Sequence, residues 1–253
     1  MAATLQPVDE TRIKTELKER GFVVVRGILA DSTITRARTY LEGVVETHLK
    51  AAVASGDLPD AGATLPLETR IVEAYRACTD QAPNSWLKET RTAFVFHQLL
   101  FRDPALCELV AALTGGRDAK VATRYNCRSK LPHVAASSFP WHQDHAYFRM
   151  QYMLKKQAPK RLLSVWAPFT HVDAANGGVE VLPGSHRLGF RRHKRGRGFL
   201  TVAPDAVEPG VLVDGEIPVL APGDVLFFTD LTLHRSGHVS HIPLHACPLL
   251  PPT

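Results

Sequence analysis

Two histidines and one aspartate occur at positions that suit a metal centre. His142 and Asp144 lie two positions apart in the segment PWHQDH, which covers residues 140–145. If this segment is a strand, side chains at i and i+2 point to the same face, so both side chains could reach one ion. His234, which follows an apolar run, offers a third ligand. Two imidazoles and one carboxylate on one face form the facial triad of non-heme iron(II) oxygenases, which leaves coordination positions open.

The spacing alone leaves a second interpretation open. The chain has 12 histidines, so an H-x-D pattern can arise by chance. In this alternative, His142 and Asp144 form a buried hydrogen-bonded pair, and His234 is a core histidine with its hydrogen bonds satisfied. In either case the strand alternation predicts that Gln143 and His145 point away from His142 and Asp144.

The elements that must position these residues differ between the two halves of the chain. The first half has the helical spacing of apolar residues, with capping residues at the starts and glycines at the ends. The predicted helices begin at Asp9, at Asp31 or Ser32, and at Asp103–Pro104, and they end at Gly21, Gly56 and Gly115–Gly116. A β-branched run at 22–25 predicts a buried strand between the first two helices.

Beyond residue 120, short apolar runs separated by turn residues predict strands. These runs cover 162–166, 178–182 and 224–229, with turn signals at Asn176–Gly178 and Pro222–Asp224. Such a pattern is typical of a β-sandwich or barrel. We therefore predict one domain over 1–253, with helix-rich support in 1–120, a β-rich core in 121–237 and an atypical tail in 238–253.

The composition of the chain argues against several classes of protein. The chain of 253 residues has a net charge of +5, and part of that charge lies in the basic run 191–197, which has no aromatic residue and is predicted to be a solvated loop. The four cysteines form no CxxC pair, which argues against a zinc knuckle or a disulfide framework. The N-terminal residues do not resemble a signal peptide, and no apolar run reaches the roughly 18 residues of a membrane span. We expect a cytoplasmic protein without nucleic-acid or membrane partners.

The motifs around the triad add a resemblance to a known family. WHQD at 141–144 is followed by NGG and LPGSH within 173–186, and then by PGDVLFF at 222–228 leading into His234. In this order, the motifs resemble those of the phytanoyl-CoA dioxygenase family of iron(II)/2-oxoglutarate-dependent oxygenases. The resemblance is clear from about residue 104 to 237, and the NGG…LPGSH segment is its most specific part.

The resemblance implies an α+β fold with a mainly β core, namely a double-stranded β-helix (a cupin-like jelly roll) flanked by N-terminal helices. It implies that His142, Asp144 and His234 hold iron. It also implies that the hydroxyl of Ser236 contacts the far carboxylate of 2-oxoglutarate and that Trp166 lines the co-substrate pocket. The residues of LPGSH are expected to shape the end of a loop.

The resemblance further implies the activity. The enzyme would hydroxylate or otherwise oxidise a small organic molecule, such as a secondary metabolite or an acyl or lipid-like acid, and release succinate and carbon dioxide. Its cofactors would be iron(II), 2-oxoglutarate and dioxygen, with ascorbate as a stimulant, and the protein would be a monomer or homodimer. Halogenating relatives lack the carboxylate ligand, so Asp144 argues against halogenation.

The chain departs from the family pattern after His234. The family places an arginine ten or eleven residues after the distal histidine, where it pairs with the far carboxylate of 2-oxoglutarate. This chain has Leu244 and His245 there and no arginine after Arg235, which should face away from the site. The proline-broken tail also predicts that the final jelly-roll strands are missing.

Three explanations of this departure are open. The C-terminus could be an altered or truncated translation product, which the sequence favours. Another cation, among Arg161, Arg124 and Arg128, could replace the arginine. The alternative function is a degenerate family member that binds metal without turning over 2-oxoglutarate. A cupin-like protein with a different metal fits least, because the chain lacks the glutamate or further histidine of a cupin-style cluster.

Overall fold

The computed structural model describes residues 9–58, 65–66, 70, 98–100, 102–116, 127, 138–152, 162–196 and 199–237. The tail 238–253 and the three alternative arginines of the sequence analysis lie outside these residues. The helices are α1 (Glu10–Arg20), α2 (Asp31–Ala54), α3 (Pro104–Thr114) and α4 (Asp144–Tyr152). The strands are β1 (Phe22–Val25), β2 (Leu163–Trp166), β3 (Val179–Val181), β4 (His193–Gly196), β5 (Phe199–Val202), β6 (Val225–Thr229) and β7 (His234–Ser236).

Helices α1, α2 and α3 form where the sequence predicts them, and side-chain caps begin α1 and α3. The Asp9 carboxylate accepts a hydrogen bond from the backbone N–H of Arg12 at 3.0 Å, and Asp103 accepts one from Leu106 at 3.1 Å. Both contacts satisfy a backbone donor that the first helical turn leaves unpaired. Gly21 ends α1 in the left-handed conformation with φ 83°.

The strands pair antiparallel. One sheet has the order β1–β6–β2, a second joins β3 to β7, and a hairpin joins β4 to β5. In the first sheet Phe228 is opposite both Phe22 and Ser164, so β6 is the central strand. Antiparallel sheets flanked by helices confirm the predicted α+β architecture.

Strand β6 separates two parts of the core. Val225 and Phe227 pack with residues of α1 and α3, including Ile13 and Leu106. The alternate residues of β6 belong to a second cluster, which includes Phe22, Val172, Val179, Val181 and Leu220. Because alternate residues of a strand face opposite sides, β6 holds the helices on one face and the β3–β7 sheet on the other. The candidate site lies on the face toward β7.

The structure corrects the prediction that His142 and Asp144 share a strand. His142 makes only an isolated bridge to His234, and α4 begins at Asp144. The pairing does not continue because the chain turns into a helix here, where the carbonyl of Gln143 accepts from the N–H of Ala146 at 3.1 Å. The two side chains converge across a strand-to-helix turn rather than along a strand.

The structure also corrects the prediction that the basic run 191–197 is a loop, because part of the run is a strand. His193–Gly196 forms β4 and pairs with β5 in a hairpin. Lys194 and Arg195 remain exposed, so the side chains are solvated as expected while the backbone is paired.

Within the described ranges, no helix combines the length and the hydropathy that crossing a bilayer requires. Cys107 and Cys127 form no disulfide within the described part of the chain. The division of the chain into one domain remains a prediction.

Candidate metal centre

The structure brings His142, Asp144 and His234 together. One potential ligand atom from each residue lies within 4.8 Å of the others. The Oδ1 atom of Asp144 is 3.8 Å from Nε2 of His142 and 3.7 Å from Nε2 of His234. These separations exceed a hydrogen bond, so they do not fit the alternative in which His142 and Asp144 form a hydrogen-bonded pair. Three donors facing one point without bonding each other fit a small cation between them.

The backbone places the two imidazoles side by side. The N–H of His142 donates to the carbonyl of His234, and the N–H of His234 donates to the carbonyl of His142, both at 3.0 Å. Residues paired in this way carry their side chains on the same face. The ring centroids are accordingly 4.1 Å apart.

Each imidazole is also oriented by its second nitrogen. Nδ1 of His142 lies 2.8 Å from the carbonyl oxygen of Pro140, and Nδ1 of His234 lies 3.0 Å from that of Thr232. A carbonyl can only accept, so each Nδ1 carries the hydrogen and each Nε2 turns its lone pair toward Asp144. This is the orientation that a metal ligand requires.

Burial supports the same protonation state. Burial, together with a smaller contribution from the neighbouring His234, lowers the pKa of His142 to about 3, against the opposing effect of Asp144. The ring is therefore neutral at pH 7, and a neutral imidazole is the form that binds metals. A donor set of two imidazole nitrogens and one carboxylate fits iron(II).

The two oxygens of Asp144 have different surroundings. Oδ1 faces the two imidazoles, whereas Oδ2 accepts a hydrogen bond from the hydroxyl of Ser164 at 2.5 Å. Asp144 also lies in the first turn of α4, where the helix dipole favours a negative charge. The sequence alone does not indicate Ser164, because nothing in its spacing relates it to the H-x-D motif.

Gln143 points away from the triad as predicted, and it has a further role that its position in the sequence does not predict. Its side chain is fully buried. Nε2 donates to the carbonyls of Gly189 at 2.9 Å and Leu231 at 2.8 Å, and Oε1 accepts from the N–H of Arg191 at 2.8 Å. These three bonds, which we call the Gln143 clamp, join the H-x-D turn to the segment before β4 and to the loop before β7.

His145 also points away from the triad, as predicted. Its Nδ1 lies 2.7 Å from Oδ2 of Asp230, and its ring lies 5.2 Å from that of Phe190. The Phe190 ring stacks on His193 at 5.5 Å. Partial burial, with a contribution from His145, lowers the pKa of His193, whose neutral Nε2 accepts from the backbone of Gln143.

The LPGSH motif joins α1 to the loop that carries His234. The hydroxyl of Ser185 accepts from the N–H of Leu233 at 2.9 Å and donates to the carbonyl of Leu182 at 2.6 Å. Nε2 of His186 donates to the carbonyl of Lys18 at 3.0 Å. These contacts give the motif the structural role that the sequence predicted for it.

The two residues predicted to contact 2-oxoglutarate occupy the inner layers of the fold. Trp166 packs against the cluster that contains Leu226 and Phe228. Ser236 is buried, and its hydroxyl accepts from the N–H of Phe139 at 2.8 Å. The roles of Trp166 and Ser236 in binding the co-substrate stay predictions.

Arg235 does not face the triad, which confirms its predicted orientation. Its guanidinium pairs with the buried carboxylate of Glu180 at 2.6 and 2.9 Å and lies 4.6 Å from the centre of the Trp141 ring. The hydrogen bond to Glu180 raises the pKa of Arg235. These contacts therefore hold the guanidinium of Arg235 on the face of β7 that points away from the triad.

Aromatic side chains surround His142 on its other sides. Tyr147 meets the His142 ring edge-on with centroids 5.6 Å apart, and Phe139 lies at 5.4 Å. Phe199 packs on Phe139 at 4.2 Å, and the hydroxyl of Tyr147 accepts from the N–H of Leu200 at 3.0 Å. These rings form an apolar wall beside the triad, which we call the aromatic wall (Phe139, Tyr147 and Phe199).

Solved structures share this fold. EvdO2 from Micromonospora carbonacea var. aurantiaca, complexed with 2-oxoglutarate, aligns with a TM-score of 0.50 and 18% identity over 94% of this chain and 87% of that one. The epimerase SnoN, in complex with Fe3+, alpha ketoglutarate and nogalamycin RO, aligns with a TM-score of 0.50 and 15% identity over 93% of this chain and 80% of that one. At these identities the likeness shows the fold, a jelly roll, as the sequence predicted.

Curated relatives match most of the chain. The peroxisomal phytanoyl-CoA dioxygenase of Rattus norvegicus is 25% identical over 234 residues, which cover 87% of this chain and 61% of the relative. The 1-deoxypentalenic acid 11-beta-hydroxylase of Streptomyces arenae is 25% identical over 227 residues, which cover 86% of this chain and 71% of the relative. The chain thus spans about three fifths of the length of the rat protein.

A model of a known protein family also matches most of this chain. The model described as phytanoyl-CoA dioxygenase (PhyH) matches residues 17–241, a range that includes all three members of the triad. The motifs, the fold and this match agree with one another, and the chain belongs to the phytanoyl-CoA dioxygenase family.

Proposed function

We propose that this protein is an iron(II)- and 2-oxoglutarate-dependent oxygenase that hydroxylates or otherwise oxidises a small organic molecule, with release of succinate and carbon dioxide. The observation that carries the proposal is the convergence of His142, Asp144 and His234, whose donor atoms lie within 4.8 Å of one another. Family membership and the fold support the same reaction class.

An iron(II) ion held by these three residues would have open positions for 2-oxoglutarate and dioxygen and would supply the oxygen chemistry. The protein's contribution is geometric. Main-chain bonds and the carbonyls of Pro140 and Thr232 fix both imidazoles. The aromatic wall limits water beside His142 and offers apolar contacts to a substrate.

We infer a substrate that is a secondary metabolite or an acyl or lipid-like acid. The names of the relatives support both classes, since one is a phytanoyl-CoA dioxygenase and another is a 1-deoxypentalenic acid hydroxylase. Asp144 supports oxygenation over halogenation, because a halide would need the coordination position that the carboxylate takes. The predicted contacts of Ser236 and Trp166 with 2-oxoglutarate belong to this proposal.

Anaerobic addition of iron(II) and 2-oxoglutarate tests the proposal. The expected result is a weak visible charge-transfer band in the wild-type protein and its loss in His142→Ala. His171→Ala is the matched control, because His171 is an exposed histidine outside the triad and its variant should keep the band. If the wild-type protein shows no band, or if His142→Ala keeps it, the proposed site is wrong.

A second candidate is a truncated or degenerate family member that binds metal but does not turn over 2-oxoglutarate. The observation in its favour is the presence of Leu244 and His245 where the family has an arginine. Succinate formation, measured with and without ascorbate under air, separates the two candidates. Metal binding without succinate would favour the degenerate member, whereas succinate released even in the absence of a substrate would favour the enzyme.

The remaining expectations extend this proposal. A small-molecule oxygenase of this kind would act in the cytoplasm, as a monomer or homodimer, without a nucleic-acid or membrane partner. Size-exclusion chromatography with light scattering measures the oligomeric state directly. A stable mass above that of two chains of 27.8 kDa each would contradict the expectation.

A further inference from the structure

Ser164 contacts the carboxylate of the triad from a strand that the H-x-D motif does not include. Its hydroxyl donates to Oδ2 of Asp144 at 2.5 Å. The other oxygen, Oδ1, faces the two imidazoles at 3.8 and 3.7 Å. The two carboxylate oxygens are therefore divided between a hydrogen-bond donor on one side and the candidate metal position on the other.

Strand β2 holds Ser164 firmly in this place. Ser164 is opposite Phe228 on the central strand β6, and the ring of Phe228 lies 4.5 Å from that of His234. Along β2 the next residue, Val165, is 40% exposed and lies on the opposite face of the strand from Ser164. The hydroxyl thus reaches Asp144 from the same sheet that supports a second member of the triad.

We propose that Ser164 is a positioning residue that keeps Asp144 bound to the metal through one oxygen only. The inference rests on the proposed function, because it assigns Ser164 a role toward the iron. A hydroxyl that donates to a carboxylate forms a short, charge-assisted bond, which restrains rotation of the carboxylate about its Cβ–Cγ bond. With Oδ2 committed to Ser164, only Oδ1 remains to face the imidazoles.

The consequence for the proposed reaction is coordination space. An octahedral ion with three single-atom protein ligands has three further positions. A carboxylate that bound through both oxygens would take one of these positions, which 2-oxoglutarate and dioxygen need together. Ser164 would therefore set the number of open positions without touching the metal or the substrate.

A purely structural role makes a different prediction. If the bond between Ser164 and Asp144 only fastened the start of α4 to the sheet, its loss would lower stability and leave the affinity of the folded protein for metal unchanged. Loss of a hydrogen-bonded partner behind a metal ligand instead weakens metal binding by about 10- to 100-fold. Metal affinity and the spectrum of the bound ion thus separate the two roles.

The test uses cobalt(II) alone as the probe, measured by titration and by its visible absorption, with the folded state checked by circular dichroism. Ser164→Ala should bind cobalt(II) about 10- to 100-fold more weakly than the wild type and give an altered absorption spectrum. Ser164→Thr keeps the hydroxyl and suits a strand, so it should restore both affinity and spectrum. Val165→Ala, a change at an exposed residue on the opposite face of the same strand, is the control and should match the wild type.

Each result has a clear meaning. If Ser164→Ala binds cobalt(II) with wild-type affinity and spectrum, the inference is wrong while the proposed function stands. If Ser164→Ala does not fold, Ser164→Thr decides the question, since a folded Thr variant with weak binding would also overturn the inference. If the wild-type protein itself binds no cobalt(II), both the inference and the proposed metal centre fail.

Discussion

Replacing Gln143 by methionine should destabilise the protein even though the side chain keeps its length and shape. Methionine is unbranched and of similar volume, so the substitution removes the three bonds of the Gln143 clamp without opening a large cavity. Gln143 has 0% of its surface exposed, so water does not replace the lost partners. The substitution leaves three backbone groups without this contact, namely the carbonyls of Gly189 and Leu231 and the N–H of Arg191.

The expected magnitude follows from the number of bonds. At about 1 kcal/mol of net stability for each bond, loss of the clamp should lower the free energy of unfolding by about 3 kcal/mol. Urea denaturation measures this as a lower midpoint with an unchanged dependence on denaturant. Hydrogen exchange of the Arg191 amide should accelerate as well, because Oε1 of Gln143 is its acceptor.

Gln98→Met is the matched control for this experiment. Gln98 is a partly exposed glutamine outside the clamp, and its substitution should change stability by less than about 0.5 kcal/mol. A loss below about 1 kcal/mol in Gln143→Met, with normal protection of the Arg191 amide, would refute the reasoning. It would mean that the three bonds do not fix the segments on either side of the triad.

Two other predictions concern stability. Gly21→Ala should lower the free energy of unfolding by about 3 kcal/mol, because a Cβ atom there would lie 2.4 Å from Nδ1 of His186 at φ +83°. Gly56→Ala, with φ +81° and open space around it, should lower it by only about 1 kcal/mol. Equal shifts of the melting temperature in the two variants would contradict this prediction. Burial lowers the pKa of His193 below its unfolded value of about 6.5. The stability that the neutral ring contributes is therefore complete above about pH 6.5, and it is lost as the pH falls toward the folded-state pKa. The urea midpoint should therefore be lower at pH 5 than at pH 7, and the difference should be smaller in His193→Asn. Part of the pH dependence should remain in the variant, because the pKa of His142 is also lowered. An identical difference in both proteins would show that His193 does not contribute.

The parts of the fold that the sequence predicts well are those with local signals. The helices that follow Asp9 and Asp103 begin at their caps, and α1 ends at Gly21. Strand β6 was predictable because five consecutive apolar or β-branched residues follow a turn. In these cases the residues that determine the element are neighbours in the chain.

The errors concern features set by distant contacts. No local pattern in the sequence predicts the start of α4 at Asp144, and the turn before it makes distant contacts, such as that of the Gln143 N–H with Nε2 of His193. Ser164 and Gln143 act through partners far along the chain, so spacing within a motif does not identify them. The convergence of the triad, in contrast, followed from the choice of residue types and their order among the motifs.

The paired backbone at positions 142 and 234 makes this site suitable for engineering. Both bonds of the pair use main-chain atoms only, so the Cβ positions are set independently of the side chains that they carry. A thiolate at either position would offer a softer donor, and a carboxylate a harder one, on the same framework. Ion selectivity could thus be redesigned here by exchanging two side chains, without rebuilding the surrounding sheet.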